Sequence, residues 1–273
     1  ALDQTDHEEI VKCGGVVELV QLITAEHTTM GGKKEAALSL ARLCTSGAET
    51  QALIADTGAI KPLVQWLDNV ELGPPEIAAL ALADIARSNY TLQVRIAEEG
   101  ALPRITAMLR FQEVAAQRAA CSAVASLALN MPSNQVALAE ADGIVPLVTL
   151  LSSPSPACLE AASNAVATLS ENPDIKMQIL HAGGIPPLVA LLSCQVDATQ
   201  CSCSIAIQSL ARGCPEIQDA LAAEKASAGL TQLLGAESLL TQESAMGALL
   251  CLAAHPPSRT IIIAELVGVL ASR

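Results

Sequence analysis

Apolar residues along this chain come in short dense bursts separated by polar or Gly/Pro-rich breaks. The stretch GIVPLVTLL at 143–151 has the apolar density of a buried helix. EAALSLARL at 35–43 and EIAALALADIA at 76–86 read as helices that place Ala where neighbouring helices approach closely. Convincing alternating runs, the mark of half-buried strands, are missing. The pattern predicts an all-α chain.

The bursts recur. The first residue of an LVxLL-like phrase falls at Leu19, Leu63, Ile105, Leu147, Leu188, Leu230 and Leu266, in steps of 44, 42, 42, 41, 42 and 36. A second phrase follows each of the first six: LSLARLC, LALADIA, SAVASLA, NAVATLS, IAIQSLA and GALLCLA. Its late aliphatic anchor is Leu43, Ile85, Leu127, Leu169, Leu210 and Leu252, in steps of 42, 42, 42, 41 and 42. Two unrelated phrases that keep one period indicate a repeat architecture.

Each unit reads as three helices. A short one comes first, such as SNQVALAEA at 133–141, with Ser133 or Asn134 as its cap after Pro132 has stopped the previous helix. A glycine then breaks the chain (Gly58, Gly100, Gly143, Gly184), and a proline follows near the start of the second helix (Pro62, Pro103, Pro146, Pro187). A polar break such as SSPSP at 152–156 leads into the third and longest helix. The units run approximately 5–46, 47–88, 89–130, 131–172, 173–213 and 214–255, with a partial one at 256–273. In that last unit the Gly-Pro turn is missing, so SRTIIIAELVGVL is expected to form one fused helix. Thr5 and Glu8 stand at capping-box spacing, and the ends lead us to expect a fragment of a longer protein.

Three helices, about 42 residues, a Gly-apolar-apolar-Pro-Leu-Val opening and an AxxALxxLA closing helix resemble armadillo repeats over nearly the whole chain. The resemblance implies a right-handed α-solenoid of about six three-helix repeats plus partial terminal units. One repeat cannot bury its apolar face alone, so stacked repeats share a core.

Composition narrows the function. Only Trp66, Tyr90 and Phe111 are aromatic, so the core is aliphatic and small. The net charge of −13 repels phosphate backbones and anionic membranes. No apolar run reaches the roughly 20 residues that span a bilayer. Nine cysteines, most of them in apolar helical runs, point to a reducing, cytoplasmic compartment. His7, His27, His181 and His255 fit no catalytic or metal motif, no nucleotide-binding phrase stands out, and HAGGIPPLV at 181–189 reads as a turn between helices. The two sulfurs of Cys201 and Cys203 would sit about 200° apart on a helix, which does not favour a zinc site with Cys194 and Cys214. We expect no enzyme, metal or cofactor. Arg87, Arg95, Arg104, Arg110 and Arg118 form either a patch for an acidic partner or ion-paired solvated faces.

In armadillo proteins that resemble importin-α or β-catenin, third helices line a concave groove. Many repeats there hold an extended peptide with an Asn one position before the late anchor. Here that position reads Arg42, Asp84, Ser126, Thr168, Ser209 and Cys251. Importin-like receptors place Trp four residues earlier, where this chain has Leu38, Leu80, Ser122, Asn164, Ile205 and Gly247. Recognition of nuclear signals therefore does not carry over. The expectation is a non-enzymatic adaptor or scaffold that binds a protein partner through Leu38, Arg42, Leu80, Asp84, Ser122, Ser126, Asn164, Thr168 and Ser209, as part of a larger assembly. The units resemble vacuolar armadillo adaptors. They also resemble plant U-box proteins, which implies the alternative of a substrate-reading arm of a ubiquitin ligase.

Overall fold

The computed structural model describes residues 4–271, and these contain helices and no strand. Contacts divide the chain into two units, Ala1–Gly143 and Ile144–Arg273. The first unit holds α1 (Gln4–Lys12), α2 (Gly15–Thr24), α3 (Met30–Leu43), α4 (Ala48–Asp56), α5 (Ile60–Trp66), α6 (Pro75–Ala86), α7 (Tyr90–Glu98), α8 (Ala101–Met108), α9 (Val114–Ala128) and α10 (Pro132–Glu140). The second holds α11 (Ile144–Leu150), α12 (Pro156–Leu169), α13 (Pro173–His181), α14 (Ile185–Leu191), α15 (Asp197–Ala211), α16 (Pro215–Ala223), α17 (Ala226–Leu233), α18 (Leu239–Ala253) and α19 (Pro256–Ala271). Two short helices and one long one alternate through both. This is the all-α, armadillo-type solenoid class. The helix at the end is unbroken, as the missing Gly-Pro turn predicts. The side chains of Thr5 and Glu8 lie outside the described residues.

Local chemistry sets the helix starts. Asn89, Asn172 and Ser238 accept hydrogen bonds from the backbone N–H groups of Leu92, Asp174 and Thr241. Prolines open α6, α10, α12, α13 and α16, where a missing N–H costs nothing. This corrects one expectation. Pro132 is the first residue of α10, and Ser133 and Asn134 lie inside that helix. Asn134 is buried and donates through Nδ2 to the Leu127 carbonyl at 2.8 Å.

The turn between first and second helices also differs from the glycine pattern. The residue with left-handed backbone is Gly58, Gly100, Asp142, Gly183 and Lys225 in successive repeats. Gly143 and Gly184 follow it and are glycines because the chain is crowded there. A Cβ on Gly143 would stand 2.7 Å from the Leu138 carbonyl oxygen, and one on Gly184 would stand 2.7 Å from Ile179 Cγ2. Asp tolerates the left-handed region better than most residues, whereas Lys225 is strained by roughly 1–2 kcal/mol.

Long helices carry the packing in each unit. In the first, α3 packs on α6 and α6 on α9. In the second, α12 packs on α15 and α15 on α18. Ala at 36, 37 and 41 of α3 and at 78, 79, 81 and 83 of α6 is buried, which permits close approach of the backbones. The second-helix anchors Leu63, Ile105, Leu188 and Leu230 are fully buried, each worth about 1.5–3 kcal/mol relative to exposure.

Such packing buries the ends of the long helices, whose last carbonyls lack partners within the helix. In the repeats that begin with α4, α7, α10, α13 and α16, the fourth residue of the first helix supplies them. Gln51 of α4 donates through Nε2 to the carbonyls of Asp84 (3.2 Å) and Arg87 (3.1 Å). Gln93 of α7 donates to Ser126 (2.8 Å) and Leu129 (3.2 Å). Gln218 of α16 donates to Cys251 (3.0 Å) and Ala211 (2.9 Å). Gln135 of α10 donates to Ala128 at 3.0 Å. In α13 the residue is Lys176, whose Nζ donates to the Arg212 carbonyl at 2.6 Å. All five side chains are buried.

Two outcomes test this latch. Gln93→Leu keeps the volume but strands two carbonyls, so chemical denaturation should show a loss of about 2–4 kcal/mol. A change below about 0.5 kcal/mol would refute the assignment. Burial pushes the Lys176 pKa below the ordinary lysine value, with Arg212 adding to the effect and Cys214 opposing it. The unfolded chain therefore binds more protons than the folded one between the two pKa values, and stability rises with pH through that window. Lys176→Gln removes the liability. It should raise the melting temperature by about 2 °C near pH 7, with a smaller gain near pH 10.5.

Candidate partner-binding surfaces

The exposed side of the long helices is the natural place for a partner, because their other sides are packed. In the first unit, Leu38 and Arg42 lie on α3, Leu80 and Asp84 on α6, and Ser122 and Ser126 on α9. Arg42 is exposed and the other five are half-buried. Asp84 is not a free anion, since its carboxylate pairs with Arg87 one turn further on. In the second unit, Asn164 and Thr168 lie on α12 and Ser209 on α15. Asn164 and Ser209 are half-buried, but Thr168 is buried at 9% exposure and its hydroxyl donates to the Asn164 carbonyl at 3.1 Å. Thr168 therefore offers a partner little. The two surfaces are mildly polar, with hydroxyls and an amide in place of aromatic slots.

The aromatic residues explain part of this. Trp66 lies on a second helix, 2% exposed, with Gly73 so close to its ring that no Cβ fits. At Gly247 of α18 the Gln208 side chain lies overhead, and an added Cβ would come within 2.8 Å of its amide. A further apolar surface lies on α18 and α19, where Leu240, Met246, Leu250, Ile261, Ile263 and Val267 are exposed.

The arginine-rich stretch is used within the first unit. Arg95 pairs with Asp56 at 2.7 Å, Arg104 with Asp68 at 2.9 Å, and Arg110 donates to the Asp142 carbonyl at 2.8 Å. These contacts join neighbouring repeats and are at least partly exposed, so each contributes little.

A cavity of about 320 Å³ opens between α1, α2 and α3. Ile10, Leu19 and Leu43 form its apolar walls, and Glu18 and Arg42 also line it. Leu19 is only half-buried, unlike its fully buried equivalents Leu63 and Ile105.

The cysteines form no disulfide. Cys203 is buried, with its Sγ donating to the Gln200 carbonyl, and burial drives its pKa far above the ordinary thiol value. Burial, assisted by Asp84, pushes Cys44 up to about 12. Among the described residues, no group of three or more His, Cys, Asp or Glu side chains is placed to hold a metal ion, and no helix is long and apolar enough to cross a membrane. In native protein at pH 8, iodoacetamide should label exposed Cys13 and leave Cys44 and Cys203 unmodified, as read by mass spectrometry. Labelling of Cys44 at the rate of Cys13 would mean that the end of α3 opens freely.

Residues 172–212 match the family model of the armadillo/β-catenin-like repeat. The chain is similar to an engineered protein of known crystal structure, with a TM-score of 0.83 and 28% identity. That match covers 96% of this chain, which spans only 64% of the engineered one. It is similar to a designed armadillo repeat protein at a TM-score of 0.76 and 26% identity, covering 87% of this chain and 99% of the design. Another designed armadillo repeat protein, solved in complex with the peptide (KR)4, matches at a TM-score of 0.75 and 26% identity over 87% of this chain and 99% of the design. No curated protein is matched by its sequence.

Proposed function

Because the chain is an armadillo-repeat protein, we propose that it acts as a non-enzymatic adaptor that binds segments of partner proteins on the exposed faces of its long helices. The observation that carries this reading is the recurrence of an outward-facing pair of positions on successive long helices, such as Leu80 and Asp84 on α6 and Ser122 and Ser126 on α9. A surface repeated at fixed spacing suits a ligand that is itself periodic, and an extended peptide is one. A similar designed protein does hold a peptide.

Charge sets the preference. A net charge of −13 draws in cationic segments and repels nucleic acid. Without aromatic anchors, binding rests on many small contacts, so one short segment should bind in about the micromolar range. We place the protein in the cytoplasm or another reducing compartment, a reading supported by nine cysteines with no disulfide.

The test uses a partner identified by cross-linking mass spectrometry. Ser126→Arg and Ser209→Arg each put a large cation on one surface. At least one should weaken binding about tenfold, or about 1.4 kcal/mol, while thermal unfolding stays within about 1 °C. Unchanged affinity in both, with loss on altering the 152–156 loop, would move the site off the long helices.

A further inference from the structure

Four of the arginines between residues 87 and 118 are taken up within the first unit. Arg87 pairs with Asp84, Arg95 with Asp56 and Arg104 with Asp68, and Arg110 donates to the Asp142 carbonyl. Arg118 is different. It is half-buried on α9, and no described residue forms an ion pair or hydrogen bond with its side chain. It stands one turn before Ser122, on the same outward stripe of the helix. The same register position is Glu76 on α6 and Lys34 on α3, each 42 residues from the next. Neither of these side chains pairs with a described residue. Three neighbouring long helices therefore present an unpaired cation, an unpaired anion and an unpaired cation at one level.

The direction in which these residues face comes from the repeat register. α6 packs between α3 and α9, and Glu76 is still half-exposed there. In the second unit the same position is Glu160, Cys201 and Glu243, with no base, so packing does not require the alternation. Helix dipoles do not account for it either. Glu76 is favoured in the first turn of α6, but Lys34 and Arg118 lie near the N-terminal ends of α3 and α9, where a cation gains nothing. Further along the stripes, exposed Arg42 repeats the positive charge of α3, whereas Asp84 is already paired with Arg87.

We propose that the segment bound across α3, α6 and α9 carries an acidic, a basic and an acidic residue in turn, facing Lys34, Glu76 and Arg118. This rests on the reading of the protein as a segment-binding adaptor and specifies the partner chemistry of its first unit. Packed helices run about 8–10 Å apart and an extended chain advances about 3.3 Å per residue, so the charges fall two or three residues apart. The order reads the same in both chain directions, so it does not depend on which way the segment runs. A segment of opposite signs meets like charge at all three places, which selects against it.

The probes are capped peptides titrated into the full chain with labelled Leu methyl groups. Leu38 and Leu80, one turn beyond Lys34 and Glu76, report occupancy. Gly-Glu-Val-Lys-Val-Glu-Gly, or its relative with two valines between charges, should shift and saturate these methyls. It should bind about tenfold more tightly than the sign-reversed peptide of the same spacing. Attraction to the net charge of −13 alone gives the opposite order. Glu76→Lys combined with Arg118→Glu should invert the preference. Arg118→Gln, which breaks no internal pair, should weaken the acid–base–acid peptide about threefold and leave thermal unfolding within about 1 °C. Absence of shifts at millimolar peptide, equal binding of the two signs, or a preference that the folded double variant does not invert overturns the proposal. The identified partner separates this from the broader reading. If the double variant retains the partner while Ser126→Arg or Ser209→Arg loses it, the charge pattern fails and the adaptor reading stands. If all three retain it, the long-helix surface itself is wrong.

Discussion

Everything in this fold depends on what happens to the last carbonyls of the long helices. A helix on the surface leaves these groups to water. Here they are brought against a first helix, where water has little access, and an unpaired carbonyl would cost roughly 1–3 kcal/mol. Apolar contact alone cannot meet that requirement. A primary amide can, because its two N–H groups reach two acceptors at once, and Gln51 and Gln93 each do so across 33 and 36 residues of chain. The donor thereby fixes the position of the first helix relative to the third, which the apolar contacts leave free to slide. Where the donor changes, the local structure changes with it. Lys176 keeps the bond but buries a titratable group, and His7 does not make the bridge.

Most of the fold was legible because it rests on things sequence displays well: apolar bursts, their period, and the breaks between them. Two phrases with a shared spacing located the second and third helices. The finer errors have a common physical origin. Gly143 and Gly184 are conspicuous in sequence, but what they accommodate is a nearby carbonyl or methyl from another turn of chain, and the left-handed residue stands just before them. Pro132 looked like a stop and is a start, since a residue with no N–H is welcome at either boundary. Each mistake concerns a position whose role is set by a neighbour outside the local pattern.

The candidate surface was less legible. Position on the long helices could be read from the period, but availability could not. Asp84 and Thr168 have the right register, yet one is paired with Arg87 and the other is buried with its hydroxyl turned back to Asn164. The arginine-rich stretch left two interpretations open, and what the sequence could not show is that Arg95 and Arg104 pair with acids of the preceding repeat. The glutamine ladder was present in the sequence all along, at Gln51, Gln93, Gln135 and Gln218. It escaped notice because a polar residue in a short helix is unremarkable until its burial is known.

The same ladder separates two kinds of variation in a repeat protein. Substitutions on the exposed face alter what the surface can recognise and leave the stack alone. Substitutions at the latch alter geometry, because they decide how close the first helix comes to the third. His7 belongs to the second kind: its Nδ1 meets the Ser46 hydroxyl, and the Arg42 carbonyl accepts from Thr45 instead. An exchange at one latch position can therefore change the internal hydrogen bonding of a single repeat without any change to its exposed face.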